Sequence, residues 1–154
     1  MRYIERILQP GETVVFRGKL HWIVYFPAIV LLLTALAALI AFTQIKNNPI
    51  QLGLLFVAVA CGFIGGFGIL KAWFERWTTE IDVTDRRIVY KRGLIRRHTV
   101  EMNMDKVESV DVDQSILGRL LDYGAIRIHG VGVGLETLRR IRAPLELRNR
   151  VTAP

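Results

Sequence analysis

Two long, uncharged, apolar runs occupy the first half of this sequence and restrict what it can fold into. No Asp, Glu, Lys or Arg occurs in the 26 residues from Leu20 to Ile45, and a second uncharged run extends from Asn47 to Leu70. A helix needs about 20 apolar residues to cross the roughly 30 Å hydrocarbon core of a bilayer. The sequence therefore predicts two membrane-spanning helices, at residues 22–45 and 50–73, joined by an external turn at residues 46–49.

Two other interpretations of these runs are disfavoured. Buried helices of soluble domains rarely exceed about 20 residues without a polar stripe. A cleaved signal peptide has an apolar region of about 7–15 residues close to the N-terminus. Here the first run is longer, follows a segment that contains Glu5 and Glu12, and precedes a second run.

The distribution of Lys and Arg predicts how the helices are oriented. Four basic residues precede the first run, Lys46 alone lies in the turn, and sixteen basic residues follow. Cytoplasmic flanks carry an excess of Lys and Arg, so both ends of the chain are expected on the cytoplasmic side of an inner membrane. Neither span contains an acidic or basic residue, which argues against a pump or an ion-coupled transporter.

Small and aromatic residues suggest how the two helices pack and where they end. Ala37 and Ala41 are four residues apart, as are Gly62 and Gly66, and this spacing lets helix backbones approach closely, either within the chain or between two copies. Aromatic side chains at the ends of the spans are expected to lie at the bilayer surface. These predicted anchors are Trp22, Tyr25, Trp73 and Trp77.

The rest of the chain has the period-two alternation of β-strands. Six strands are predicted after the helices, and they are residues 77–84, 87–92, 94–104, 106–113, 123–131 and 135–142. A short helical element is expected at 115–121, and a final helix at Pro144, because proline suits a first helical position. The predicted fold is an α+β membrane protein, in which a two-helix hairpin precedes a bent antiparallel sheet or partly open barrel with a C-terminal helix.

The predicted domains are an N-terminal cytoplasmic segment at residues 1–21, the helical hairpin, and a cytoplasmic β-rich domain at residues 77–154. The alternating segment at residues 11–22 is expected to lie against that domain or against the membrane surface. Six short strands and a helix are enough to close a core.

Several motifs resemble those of bacterial membrane proteins with pleckstrin-homology (PH) domains, the YdbS-like family. They are the sequence TDRRI from Thr84 to Ile88, the hairpin glycine Gly93, the segment from Lys106 to Gly124, and the sequence PGE from Pro10 to Glu12. The resemblance implies a strongly bent sheet of about seven strands closed by a C-terminal helix, residence in the bacterial membrane, and no catalytic motif. The chain departs from the usual Gly-Gly pair after the fifth strand, where residues 132–134 read Gly-Val-Gly.

A basic hairpin at residues 86–98 is the main candidate for a binding surface. Its Lys and Arg residues are Arg86, Arg87, Lys91, Arg92, Arg96 and Arg97. They are expected either to be the solvated face of the hairpin or to contact anionic phospholipid, where each basic side chain gains about 1 kcal/mol. A specific phosphoinositide pocket is a narrower alternative. Nucleic acid is not expected, because the positive-inside rule already accounts for the net charge of +7.

No residue pattern predicts catalysis, a cofactor or a metal. Asp111 and Asp113 share a strand face, and the simplest expectation is that they pair with arginines across the sheet. Ser115 has no recognisable base partner, and the Gly-Val repeat at 130–134 lacks the Lys-Ser/Thr of a phosphate-binding loop. The sequence thus predicts a non-catalytic binding module, an adaptor or scaffold for other membrane proteins, with a homo-oligomer as an alternative assembly. The alternative is a sensor of anionic lipid that acts through the basic hairpin.

Overall fold

The computed structural model describes residues 3–46, 48–93, 98–131 and 133–152, without the side chains of residues 48 and 133–136. The chain forms two compact units. One consists of Met1–His21 together with Glu75–Pro154, and the other of Trp22–Phe74. The N-terminal residues therefore belong to the β-rich unit, whereas the sequence predicted a separate segment followed by a continuous domain.

The helical unit contains a 3-10 turn at Trp22–Tyr25, helix α2 at Phe26–Gln44, and most of helix α3, which spans Asn48–Thr78. Both helices are long and apolar enough to cross a membrane by length and composition. Their apolar side chains are widely exposed, for example Leu52 (70%), Phe56 (75%) and Phe63 (78%). This surface has no protein core covering it, unlike the core helix of a soluble domain.

Glycine and alanine form the contact between α2 and α3. A Cβ atom added at Gly65 would lie 3.0 Å from the Leu32 side chain and 3.2 Å from the Ala28 carbonyl oxygen. A Cβ at Gly68 would lie 3.0 Å from the Ala28 Cβ. The backbones of the two helices thus come close together because glycine has no side chain at these positions. Such packing is expected of small residues in apolar helices.

The residues at this contact differ from most of those predicted. Gly62 does face α2, since its added Cβ would lie 3.9 Å from the Ala35 Cβ. A Cβ at Gly66 would have nothing within 4 Å. Ala37 is exposed and Ala41 only half-buried. The predicted four-residue spacing was therefore wrong in most of its residues, because the glycines at the contact, Gly65 and Gly68, are three apart and the helix rotation that selects them depends on the partner helix.

In its described residues, the β unit contains a short helix, α1 (Ile4–Ile7), and seven strands. The strands are β1 (Val14–Gly18), β2 (Glu80–Thr84), β3 (Arg87–Arg92), β4 (His98–Asn103), β5 (Val107–Asp113), β6 (Tyr123–Gly130) and β7 (Val133–Arg142). They form two antiparallel sheets of order β1-β2-β3-β4 and β5-β6-β7. Helices α4 (Ile116–Leu120) and α5 (Pro144–Thr152) complete the unit.

Two features of this sheet depart from the predicted strands. The strand expected at 77–84 begins only at Glu80, because α3 continues to Thr78 and the Thr79 amide still donates to the Glu75 carbonyl. The seventh strand is β1, from the alternating N-terminal segment, and it pairs with β2. The helical unit is therefore inserted in the connection between β1 and β2.

The core lies between the two sheets and α5. Its buried members come from six elements, and they are Ile81, Val83, Ile88, Met102, Ile126, Ile128, Leu138, Ile141, Leu147 and Val151. The alternation of each strand supplies them, since successive side chains point to opposite faces. Gly93 ends β3 with φ at 90°, a conformation that only glycine adopts at little cost.

Candidate functional site

The N-terminal segment covers the outer face of β2 and β3. The Tyr3 amide donates to the Glu80 carboxylate at 2.8 Å, and the Lys91 ammonium lies 5.0 Å from the centre of the Tyr3 ring. Val89, on the same face of β3, is 2% exposed, and Ile4 is fully buried. This face of the basic hairpin is therefore covered by the chain itself, although the sequence suggested that water or lipid would cover it.

Arg87 lies at the centre of this covered face. Its guanidinium donates from Nε to Glu12 Oε1 and from Nη2 to Glu12 Oε2, both at 2.9 Å. It also donates to the Ile7 carbonyl at 2.7 Å and to Glu101 at 2.9 Å. Only 13% of the Arg87 side chain is exposed, and none of the Glu12 side chain. Arg87 is thus mostly buried and held by partners within the chain.

The environment of Glu12 keeps its carboxylate ionised. Burial by itself would raise the pKa of Glu12, but hydrogen bonds from Arg87, the Gln9 amide and the Thr84 hydroxyl outweigh it and lower the pKa to about 2. The Thr84 hydroxyl lies 2.8 Å from Glu12 Oε1 and accepts from the Arg87 amide at 2.9 Å. Each of these contacts stabilises the charged form of the acid.

The sequence motifs PGE and TDRR contact each other at this ion pair. Gly11, with φ at 80°, closes the turn that places Glu12 against Thr84 and Arg87. Beside it, the Thr13 amide donates to the Asp85 carboxylate at 3.0 Å, and the Asp85 amide donates to the Thr13 carbonyl at 3.1 Å. The sequences PGE and TDRR therefore form one structural joint between the N-terminal segment and the β2–β3 turn.

A polar cavity of about 410 Å³ adjoins this joint. It is lined by Gln9, Asp85, Arg86, Arg87, Asn103, Met104 and Asp105. The exposed Arg86 faces the cavity together with two carboxylates, those of Asp85 and Asp105. This mixture of charges favours neither an anion nor a cation.

Arg92 lies at the opposite end of β3 from Arg86. The six residues of β3 span roughly 17–20 Å, so the two arginines do not belong to one patch. Arg92 is 59% exposed and lies 3.3 Å from the Glu75 carboxylate, in the last turns of α3. Of the four described members of the predicted binding set, it is the one placed beside the end of an apolar helix.

The structure thus divides the predicted binding residues. Arg86 lines the polar cavity, Arg92 lies beside Glu75, and Arg87 and Lys91 are held by the N-terminal segment. Arg96 and Arg97 lie outside the described residues. The predicted anchors Trp22 (45%), Trp73 (50%) and Trp77 (64%) are exposed, and Tyr25 is half-buried.

Sequence reasoning missed Glu12 as the partner of Arg87. The only signal for it was the sequence PGE, which was noted as a family motif and given no structural role.

The other polar side chains singled out in the sequence have structural partners. Asp113 lies 3.4 Å from the Arg127 guanidinium, as expected, whereas Asp111 contacts the His129 ring at 3.0 Å. The Ser115 hydroxyl accepts from the Gly118 amide at 3.1 Å and caps α4. Within the described part of the chain, no group of three or more His, Cys, Asp and Glu residues is placed to hold a metal ion.

The two sheets leave an open seam between β4 and β5. These strands follow each other in the chain, separated by a 3-10 turn at Met104–Lys106. In the described residues, however, β4 pairs with β3 and β5 pairs with β6, and the two strands do not pair with each other. Among the described residues, these two strand edges are therefore not paired with another strand, and such an edge can form main-chain hydrogen bonds with an added strand.

Two antiparallel sheets of four and three strands, with a C-terminal helix packed on the core, define a PH-like α+β fold. The model of the bacterial PH domain family matches residues 20–153. The chain therefore belongs to the bacterial PH domain family. The match includes the helical unit but begins after β1 and Glu12. Comparisons with curated proteins and with solved structures gave no significant match.

Proposed function

We propose that this chain is a membrane-anchored, non-catalytic binding module that acts as a protein-interaction adaptor or scaffold at the inner membrane. The observation that carries the proposal is the insertion of an apolar helical hairpin between β1 and β2 of a PH-like domain. Both ends of the hairpin continue into the β unit, so a bilayer that holds the hairpin holds the domain at its surface.

The open seam supports the adaptor role. Along β4, the side chains of Thr99 and Glu101 are exposed, and along β5 those of Glu108 and Ser109 are exposed. A peptide strand that pairs with such an edge gains main-chain hydrogen bonds, and the alternating side chains set its specificity. Glu101 on β4 already pairs with Arg87, so it is Glu108 on β5 that favours a partner strand carrying a basic residue.

A photoreactive amino acid placed in the seam tests this role in native membranes. We expect Thr99 replaced by the probe to crosslink to a defined protein, either another membrane protein or a second copy of the chain. The matched control is Arg148, which is exposed on α5 rather than on either strand of the seam. Crosslinking to lipid alone at both positions, from a monomeric particle, would contradict the adaptor role.

Membrane insertion and orientation require a separate test. The full chain should remain with the membrane pellet after alkaline carbonate extraction, because two apolar spans hold it in the bilayer. A reporter enzyme fused after residue 154 should be active in the cytoplasm. Export of the reporter would overturn the orientation, and release of the chain into the soluble fraction would overturn the anchor.

A second candidate function is recognition of anionic phospholipid by the basic hairpin. The observation that favours it is the position of Arg92, exposed beside Glu75 near the end of the second apolar helix. In neutral detergent, the full chain should bind phosphatidylglycerol more tightly than phosphatidylcholine. The triple variant Arg92→Glu, Arg96→Glu, Arg97→Glu should lose this preference, and Arg148→Glu should keep it. Binding that is unchanged in the triple variant and insensitive to salt would exclude this function.

A further inference from the structure

A large apolar patch lies on helix α4. Four of its neighbouring side chains are exposed, and they are Ile116 (88%), Leu117 (62%), Leu120 (80%) and Leu121 (36%). Single apolar residues are common on protein surfaces, whereas a contiguous group marks an interaction site. The adaptor and lipid functions proposed above do not use this patch.

The patch is held firmly in position by the backbone beneath it. A Cβ atom added at Gly118 would lie only 2.6 Å from the Tyr123 carbonyl oxygen, so α4 rests directly on the start of β6. The Gln114 side-chain amide donates to the same carbonyl at 3.2 Å, and Ser115 caps the helix. The apolar side chains therefore point outward because α4 is docked through its glycine.

The patch lies beside the point where the chain leaves the β unit for the first apolar helix. The His21 ring stacks on the Tyr123 ring, with centroids 5.2 Å apart and an angle of 22° between the planes. The His21 amide donates to the Arg140 carbonyl at 2.7 Å, and its ring hydrogen-bonds the backbone of Leu121 at the end of α4. Leu120 is three residues from Tyr123, at most about 11 Å along the chain.

Basic residues surround this end of the β unit. Arg119 is exposed on α4 itself, and Arg140 and Arg142 are exposed on β7. The Arg142 amide donates to the Lys19 carbonyl at 3.0 Å, which brings a fourth exposed cation to the same strand end. One acidic residue, Asp122, is exposed at the same end, and these four cations outnumber it. Elements that lie in a membrane interface typically combine exposed apolar side chains with surrounding Lys and Arg residues.

We infer that α4 is a second membrane contact, which inserts its apolar side chains at the boundary between headgroups and acyl chains of an anionic leaflet. The inference rests on the proposed membrane anchor. Trp22 follows His21 in the chain, so a bilayer that the first helix enters there lies within reach of α4. The surrounding arginines complement anionic headgroups and disfavour an apolar protein surface without acidic residues. The occupant is therefore lipid rather than a partner protein.

The depth of α4 can be measured on the full chain in nanodiscs that contain phosphatidylglycerol. In a Cys61→Ala background, Leu120→Cys is labelled with a polarity-sensitive fluorophore, and lipids with a nitroxide on the acyl chain serve as quenchers. The matched control is Val131→Cys, an exposed apolar position (59%) at the opposite end of β6. Phe56→Cys, exposed (75%) in the second apolar helix, reports on the anchor.

We expect the label at residue 120 to shift to the blue and to be quenched several-fold more strongly than the label at residue 131. The charge reversal Arg119→Glu should reduce this quenching. Quenching at residue 56 but not at residue 120 overturns the inference and leaves the anchor intact. A blue shift at residue 120 without lipid quenching also overturns it, since a protein then covers the patch. Absence of quenching at residue 56 overturns the anchor and the inference together.

Discussion

The Arg87 guanidinium binds the Glu12 carboxylate through two hydrogen bonds of 2.9 Å, although the two residues are 75 positions apart in the sequence. The helical hairpin lies within that interval. The ion pair therefore joins the chain before the hairpin to the chain after it, and it holds the N-terminal segment over the outer face of β3. Arg87, which the sequence suggested as a binding residue, thus holds two distant segments of the β unit together.

Removing one member of this pair should destabilise the β unit. Glu12→Gln removes the fully buried carboxylate of the two that pair with Arg87 and leaves only the more exposed Glu101. Breaking a buried pair costs about 3 kcal/mol. The measurement is denaturant unfolding of the full chain in detergent. The control is Glu5→Gln, because Glu5 and Arg17 form an exposed pair at 3.9 Å, which contributes at most about 1 kcal/mol. Equal losses for the two variants would contradict a special role for Glu12.

The same carboxylate should make stability depend on pH in the acid range. Its pKa is about 2 in the folded chain and near 4.5 when unfolded, so the unfolded chain binds the proton more readily. This contribution to stability is present above pH about 4.5 and is lost as the pH falls towards 2. The unfolding free energy of the wild type should fall more steeply over this interval than that of Glu12→Gln. Parallel curves would show that Glu12 is not the titrating group.

The contact between α2 and α3 can be tested with a disulfide. A Cβ atom added at Gly62 would lie 3.9 Å from the Ala35 Cβ, a separation that suits a disulfide bond. The double variant Ala35→Cys, Gly62→Cys should therefore oxidise readily in a Cys61→Ala background. Adding Gly65→Leu should reduce the yield, because Leu32 and the Ala28 carbonyl already occupy that space. Gly66→Leu is the control, since nothing lies within 4 Å there. The reverse order of yields would contradict this helix rotation.

Replacing Gly118 should lower the stability of the β unit, whereas replacing the nearby exposed residue Leu120 should not. Gly118→Ala brings a methyl group against the Tyr123 carbonyl and should cost about 1–3 kcal/mol. Leu120→Ala removes a side chain that is 80% exposed, so its effect should stay within about 0.5 kcal/mol. Thermal unfolding of the full chain in detergent measures both. A large loss for Leu120→Ala would mean that α4 packs against protein.

Much of the local structure could be predicted because it depends on neighbouring residues. Hydrophobic runs of more than 20 residues indicate α2 and α3, and period-two alternation indicates β3, β5 and β6. The proline at residue 144 begins α5, and Gly93 ends β3, as expected. The start of β2 was predicted at residue 77, which is too early. Trp77 and Thr78 continue the alternating pattern of this strand, but they belong to the end of helix α3.

The candidate site was less predictable. The basic hairpin contains six Lys and Arg residues, and the sequence treats them alike. The structure separates Arg86 from Arg92 by the length of a strand and buries Arg87 under the N-terminal segment. Charge can be counted in a sequence, but exposure and pairing depend on which distant segment covers each residue.

The sequence by itself predicted the two apolar helices and six strands after them, and the resemblance to the family added a sheet of about seven strands. Only the tertiary structure decided that the hairpin is inserted between β1 and β2, that Glu12 pairs with Arg87, and that α4 lies beside His21. The physical reason is range: helix and strand periodicity act over a few neighbouring residues, whereas each of these contacts joins residues about 60 to 100 positions apart through packing that no local pattern encodes.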